Sequence, residues 1–261
     1  MKYSKLNYPV LVASFAVLIL IWELVAYFSN NAQLVPGPLN VWQEFTRLFS
    51  DPALTSELLS GIQSTMVAVL LGFSLSAIVG VPLGFLMGRY LVVDRFLEPW
   101  VTSWYSIPAI AFVPLTMNWT GITWESAAIT SFLVAVFSII INVYSGVRHV
   151  SRQLEEPALA FGATESQLLY KVVLPASLPN IMVGLRLGIT RAIEGVIIAE
   201  MVFTVVGLGG MIDGSADKLQ LALSYALIGI LVAITMVLNE AMKVINRRVV
   251  QWQEAQAMFR G

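Results

Sequence analysis

Long apolar runs are the feature that most constrains how this chain of 261 residues can fold. A helix needs about 20 residues to cross the hydrocarbon core of a bilayer, and in lipid every backbone N–H and C=O must find its partner within the protein. Only 12% of the residues are charged, about half the share that is typical of a soluble domain. We therefore predict an all-α membrane protein with six transmembrane helices, at residues 9–29, 62–88, 99–118, 125–147, 179–204 and 221–245.

Residues 1–55 are predicted to hold a retained membrane helix followed by a short amphipathic helix on the external side. The first apolar run is too long for a signal peptide, contains Glu23 and lacks a small-x-small cleavage site. From Pro38 onward, apolar residues recur at helical spacing. This second helix either lies along the membrane interface or packs on neighbouring spans.

Small residues recur at every fourth position of the second apolar run. They are Gly72, Ser76, Gly80, Gly84 and Gly88. Such a stripe lets the backbones of two helices approach closely where water cannot drive their association. The contact is predicted either within one subunit or between subunits.

The distribution of basic residues predicts the orientation. With six spans and the N-terminus inside, eleven Lys and Arg residues lie on the cytoplasmic side and two lie outside, which is the bias that cytoplasmic loops show. The inner ones are Lys2, Lys5, Arg89, Arg95, Arg148, Arg152, Lys171, Lys243, Arg247, Arg248 and Arg260, and the outer ones are Arg47 and Lys218. Both termini are therefore predicted to be cytoplasmic, with a cytoplasmic tail at residues 250–261.

The longest internal loop, residues 148–178, contains a polar helical segment between strongly apolar runs. Glu155 and Glu156 precede Pro157, which suits the first turn of a helix because its missing N–H costs nothing there. Gly162 within that helix would cost about 1 kcal/mol relative to alanine, so a packing role is expected, and the prolines further on are expected to end the helix. The residues alone leave two interpretations open, a docking surface for a soluble protein and an ordinary interfacial connector.

This segment resembles the cytoplasmic signature of ABC importer permeases. That signature reads Glu-Ala-Ala, three residues, Gly, nine residues, Ile, any residue, Leu-Pro. Here residues 156–158 (EPA) are followed after three residues by Gly162, and nine more residues lead to 172–175 (VVLP). The spacing is complete, although proline replaces the usual alanine at position 157 and valine replaces isoleucine at position 172.

Further stretches extend the resemblance to the nitrate/sulfonate/taurine branch of these permeases. They are residues 74–88, 105–115 and 184–210, and the similarity covers about residues 56–249. The resemblance implies a type I ABC importer permease-like fold, with residues 56–249 as the transmembrane core. It also implies a transport subunit for a small, anionic solute in a bacterial-type cytoplasmic (inner) membrane, surrounded by lipid.

The same resemblance implies partners and the residues that would meet them. A coupling helix at about residues 155–170 would dock into one of two cytoplasmic ABC ATPase subunits, a second copy of the chain would complete a homodimer, and an external or lipid-anchored substrate-binding protein would deliver the solute. The candidate residues for ATPase coupling are Glu155, Glu156, Ala158, Gly162, Ala163, Leu174 and Pro175.

Several activities have no support in the residues. The chain has no G-x-x-x-x-G-K-[ST] loop to hold phosphates, so we predict that it is not an ATPase, and ATP and magnesium are expected on the partner subunits. It has no cysteine and a single histidine, His149, so no metal site or cofactor is predicted in this chain. No basic stripe is interleaved with aromatic residues, so no nucleic-acid partner is predicted.

Ionisable groups at membrane depth are functional candidates. Arg191 and Glu194 are three residues apart and can pair on one helix face. Arg191 either meets an anionic substrate or serves helix packing through that pair. Ser106, Asn118 and Glu200 are further candidates for the translocation pathway. The alternative function is a self-sufficient secondary transporter or channel, in which Glu194 or Glu200 would bind a coupling ion.

Overall fold

The computed structural model describes residues 8–29, 31, 34–203 and 207–249, and helices make up most of that part of the chain. The helices are α1 Tyr8–Ser29, α2 Pro38–Ser50, α3 Pro52–Arg89, α4 Leu91–Tyr105, α5 Val113–Thr120, α6 Trp124–Arg148, α7 Arg152–Ala160, α8 Glu165–Leu168, α9 Leu174–Phe203, α10 Gly207–Asp217 and α11 Leu221–Val249. A 3-10 turn occupies Ala109–Phe112, and a π-helical turn occupies Leu169–Val173. The predicted all-α class is confirmed.

Within the described residues, four helices are long and apolar enough to cross a membrane. They are α1, α3, α6 and α11. A fifth span results if Glu165–Val202 and Gly207–Asp217, which meet with a bend of 44°, are counted as one. Among the described residues, the structure therefore has fewer long single helices than the six spans that the sequence predicts. The prediction and the structure differ most at the third apolar run, residues 99–118.

The predicted span at residues 99–118 is wrong as a single helix. Helix α4 ends at Tyr105, and the 3-10 turn and α5 follow after a break. Pro108 causes this break, because proline lacks an N–H donor and disfavours helical geometry at the residue before it. Pro114 lies in the first turn of α5, where the missing N–H removes no helical hydrogen bond.

Helix α6 lies between α3 and α9, and small residues bring the three backbones together. A Cβ atom added at Gly84 of α3 would lie 2.6 Å from the carbonyl oxygen of Ile140 on α6. On the other side, a Cβ atom added at Gly188 of α9 would lie 2.6 Å from Cγ1 of Ile139. The stripe of small residues on α3 therefore packs within one subunit, which decides between the two contacts that the sequence allowed.

The two N-terminal helices differ in how far they pack against the rest of the described chain. On α1, Trp22 Nε1 donates a hydrogen bond to the carbonyl oxygen of Pro36 at 3.0 Å, and its ring meets that of Tyr225 edge-on. Most other side chains of α1 are exposed and apolar, as is usual for a lipid-facing surface. Leu48 of α2 is buried in a cluster with residues of α3, α10 and α11, and Phe45 packs against that cluster. The amphipathic helix α2 thus packs on neighbouring helices.

Candidate functional site

The loop between α6 and α9, residues 149–173, holds the segment with the permease signature, and we call it the α6–α9 loop. Its helix α7 begins earlier than predicted, because the side chain of Ser151 caps it by accepting a hydrogen bond from the N–H of Gln153 at 3.2 Å. Pro157 therefore lies inside α7, and its predicted place in the first turn is wrong. Proline at this position removes one hydrogen bond of the helix, and α7 ends three residues later.

Gly162 ends α7 and does not continue it, contrary to the prediction. Its φ angle of 79° lies in the left-handed region, which glycine adopts without the penalty that a side chain brings. The N–H of Gly162 donates to the carbonyl oxygen of Leu159 at 2.9 Å, and the N–H of Ala163 donates to that of Ala158 at 3.0 Å. These two bonds form a Schellman motif. The glycine is therefore required by the backbone turn, and among the described residues nothing lies within 4 Å of an added Cβ atom.

The second half of the α6–α9 loop is helical and joins α9 directly. Thr164 and Gln167 form a capping box at the start of α8, with N–H to side-chain distances of 3.0 and 3.3 Å. The π-helical turn then leads into α9, which begins at Leu174. Pro175 and Pro179 lie within α9, so the prediction that prolines end the helix before the fifth span is wrong. Proline has no N–H and cannot donate a hydrogen bond within the helix. At Pro175 this loss falls next to the π-helical turn, where the hydrogen bonds are already not those of a regular α-helix.

One side of the α6–α9 loop is anchored in the membrane helices. Leu168 and Val173 are buried in a cluster with Val147 of α6 and Ile181 of α9, and Ala158 and Leu174 pack against this cluster. Glu155 forms an ion pair with Arg89 at the end of α3, with 3.0 Å between the oxygen and the nitrogen. This anchoring explains why Ala158 and Leu174 are small or apolar.

The other side of the loop exposes large side chains. Phe161 is 94% exposed and Tyr170 is 70% exposed, and about half of Leu154 and of Leu159 is also accessible. Glu156 is exposed as well. Sequence reasoning named Glu156 through the signature but missed Phe161 as a site residue, although an aromatic residue directly before the signature glycine is visible in the sequence.

A second ion pair fixes the end of α6 where the loop begins. The carboxylate of Asp94 on α4 accepts a hydrogen bond from the guanidinium of Arg148, and the Tyr144 hydroxyl donates to the same carboxylate at 3.3 Å. Asp94 is buried, and a buried carboxylate needs such partners. The sequence did not indicate this pair, because its two residues are far apart along the chain.

Arg191 and Glu194 lie in a cleft of about 480 Å³. The guanidinium of Arg191 donates to the carboxylate of Glu194 at 2.7 Å, and both side chains are a little under half exposed. Ser106 lines the same cleft, together with aromatic side chains that include Trp104, Tyr105, Phe112 and Phe137. The ring of Trp104 stacks on those of Phe112 and Phe137, with centroids 5.9 and 6.2 Å apart. The structure thus brings together three of the predicted pathway residues.

Glu200 and Asn118 do not line this cleft among the residues that the structure describes. Asn118 is exposed on α5. Glu200 is buried, and its carboxylate accepts hydrogen bonds from the Thr65 hydroxyl on α3 and from the N–H of Gly209 on α10, each at 2.9 Å. The Thr65 hydroxyl also accepts a hydrogen bond from the N–H of Leu208 at 2.9 Å. This network ties three helices together, and Glu200 is only 3% exposed.

The long apolar helices and the signature loop define a helical, multi-pass membrane protein of the permease class. Residues 80–251 match the model of the binding-protein-dependent transport system inner membrane components, and the chain belongs to this family. A probable ABC transporter permease of Brucella abortus is 33% identical over 244 residues, which is 92% of this chain and 94% of that protein.

Two further relatives are named for sulfonate and taurine transport, as the predicted resemblance to the nitrate/sulfonate/taurine branch implies. A putative aliphatic sulfonates transport permease of Bacillus subtilis is 29% identical and covers 92% of this chain and 86% of its own length. The taurine transport system permease of Escherichia coli is 26% identical, at 92% of this chain and 88% of its own length. The predicted resemblance is thereby confirmed.

The fold is that of type I importer permeases. A chain of the inward-facing methionine ABC transporter superimposes with a TM-score of 0.68 and 20% identity, over 76% of this chain and 99% of that one. The predicted fold family is confirmed at the level of architecture. The relatives are transport permeases, and within this family the chain is a membrane subunit of a transport system.

Proposed function

We propose that two copies of this chain form the translocation path of an importer for a small anionic solute, driven by ATPase subunits that dock on the α6–α9 loop. The exposed side of that loop carries the proposal. Arg152, Glu155 and Glu156 lie on α7, so this helix faces water and not lipid, yet Phe161 beside it is 94% exposed. Exposed apolar side chains on a polar, well-anchored surface are typical of a protein interface.

The cleft at Arg191 and Glu194 supports a path between two copies. Both residues lie on α9, within the candidate span Glu165–Val202, and both are partly exposed. Charged groups at membrane depth face a bundle interior or a water-filled cavity and avoid lipid. This face of α9 is therefore best covered by an aqueous path, a second copy or both. Arg191 offers a positive group to an anion passing there.

The anionic solute is supported by the names of two relatives. Aliphatic sulfonates carry a negative charge, and taurine has a sulfonate group. In this proposal the solute arrives from an external substrate-binding protein, and ATP and magnesium are bound by the ATPase subunits. The α6–α9 loop and both termini then lie in the cytoplasm, and α2 lies on the external side of a cytoplasmic membrane.

The test is co-expression with an ABC ATPase from the same genome, followed by affinity purification. We expect the ATPase to co-purify with the unsubstituted chain. Phe161→Ala should weaken the complex about 30-fold, because truncating an aromatic anchor at an interface costs about 2 kcal/mol. The matched control is Phe49→Ala, which truncates a half-exposed aromatic residue on α2 and should leave binding unchanged.

Two outcomes would contradict the proposal. In the first, no ATPase co-purifies and the purified chain alone moves solute in response to an ion gradient, as a secondary transporter would. In the second, Phe161→Ala and Phe49→Ala bind the ATPase equally well, so that the exposed side of the loop is not the docking surface.

A further inference from the structure

Glu155 and Glu156 are neighbours on α7, but they have different surroundings. Glu155 is bound to Arg89, and its side chain is only 20% exposed, whereas Glu156 is exposed. We propose that the Arg89–Glu155 ion pair is a strut that makes α7 move as one body with α3 and α6, while Glu156 faces the ATPase. This inference rests on the proposed function, because it requires an ATPase that acts on α7.

Covalent connectivity alone leaves α7 weakly attached to α3 and α6. Three residues, 149–151, separate the end of α6 from the start of α7, and a short irregular link of this kind can act as a hinge. At its other end α7 meets a turn centred on Gly162. Ala158 packs against the buried cluster of the loop, but a small apolar contact at one end leaves the first turn of α7 free to swing when a force acts on this helix.

The Arg89–Glu155 ion pair restrains this hinge, because it joins α7 directly to α3. Arg89 is the last residue of α3, and Glu155 lies in the first turn of α7. Among the ion pairs and hydrogen bonds of the described residues, this pair is the one that joins α7 to α3. Both side chains are less than a quarter exposed, so water competes less for the pair than it does on an open surface. The arginine also stabilises the negative end of the α3 dipole.

Arg89 lies at the end of α3, in a tightly packed part of the protein. A contact that transmits force needs such a rigid support. A Cβ atom added at Gly88, one residue before Arg89, would lie 2.6 Å from the Cβ atom of Val147 on α6. The end of α3 is therefore packed directly on α6. The Asp94–Arg148 pair fixes the end of α6 against α4 as well. A displacement of α7 through Glu155 thus reaches a packed unit of α3, α4 and α6.

The experiment measures movement of α3 in the purified complex of this chain with its ATPase. The natural chain has no cysteine, so Leu86→Cys on the exposed side of α3 can carry a single spin label. Two copies then give one inter-copy distance, measured by pulsed EPR with and without ATP plus vanadate. We expect trapping with vanadate to shift this distance in the otherwise unsubstituted complex.

Arg89→Gln and Glu155→Gln should each remove at least half of that shift while the ATPase stays bound at the normal ratio. The double substitution R89E/E155R should restore the shift, because it reverses the pair and keeps the attraction. Arg95→Gln is the matched control, since Arg95 is exposed on α4 and forms no ion pair among the described residues. Glu156→Gln should instead reduce the amount of ATPase that co-purifies.

The outcomes separate the two proposals. A normal shift in both single variants overturns the strut, and so does a lost shift that the charge reversal fails to restore. If the unsubstituted chain yields no bound ATPase or no inter-copy distance, the proposed function itself fails.

Discussion

At the scale of single residues, backbone geometry explains why glycine occupies the signature position 162. The signature places a glycine here, and the structure gives the reason, which is a left-handed φ of 79° at the end of α7. The exposed Phe161 directly precedes this turn, so the turn sets the direction in which the aromatic ring points. A residue with a side chain would strain the turn even though the space around it is open.

Gly162→Ala should therefore weaken ATPase docking, because alanine at a positive φ costs about 1 kcal/mol or more. Gly162→Asn is the matched control, since asparagine tolerates the left-handed region better than other residues with a side chain. The measurement is the ATPase bound per permease after co-purification. Equal losses for alanine and asparagine would show that the side chain, and not the backbone angle, causes the effect.

Thr65 supports the buried network around Glu200. Thr65→Val should lower the free energy of unfolding by about 1–3 kcal/mol, because the N–H of Leu208 and the carboxylate of Glu200 each lose a partner in a buried place. Thr65→Ser keeps the hydroxyl and should stay close to the unsubstituted chain. The measurement is Tm in detergent. A Tm unchanged by the valine variant would contradict a structural role for this network.

At the scale of elements, close packing of α3 on α6 depends on residues without side chains. Gly84→Ala should destabilise the protein by about 1–3 kcal/mol, because its Cβ would lie 2.6 Å from the carbonyl oxygen of Ile140 and 2.8 Å from the Cβ of Val143. Gly229→Ala on α11 is the matched control, since among the described residues nothing lies within 4 Å of its added Cβ. There alanine should stabilise the helix by about 1 kcal/mol.

Thermal unfolding of both glycine variants in the same detergent checks this prediction. We expect the two substitutions to shift Tm in opposite directions. If Gly84→Ala raises Tm as Gly229→Ala does, then α3 and α6 do not approach as closely as the structure indicates.

At the scale of the whole molecule, the orientation in the membrane can be tested with single cysteines. Ser50→Cys at the end of α2 should react with a membrane-impermeant maleimide in intact cells, because this helix is predicted to be external. Gln153→Cys on α7 should react only after the membrane is permeabilised. Both positions are exposed, so accessibility within the protein does not differ. The reverse pattern of labelling would overturn the predicted orientation and the docking of a cytoplasmic ATPase on α7.

The sequence by itself determined the class of this protein. The backbone N–H and C=O groups of apolar runs this long find partners in lipid only when the runs are helical. The spacing from residue 156 to Pro175 resembles the signature of the family. Such local patterns can be recognised in the sequence because they depend on residues that are close along the chain. The pairing of Arg191 with Glu194, three residues apart on one helix, belongs to the same group.

Only the tertiary structure decided how these helices end, break and meet. Pro108 divides a run that is continuous by hydrophobicity alone, whereas Pro175 and Pro179 do not interrupt α9. The effect of a proline depends on where the helix begins and on which backbone hydrogen bonds are already missing there. Glu200 joins Thr65 across 135 positions, and Arg89 joins Glu155 across 66. No local pattern encodes such contacts, since they arise when distant segments are packed against each other.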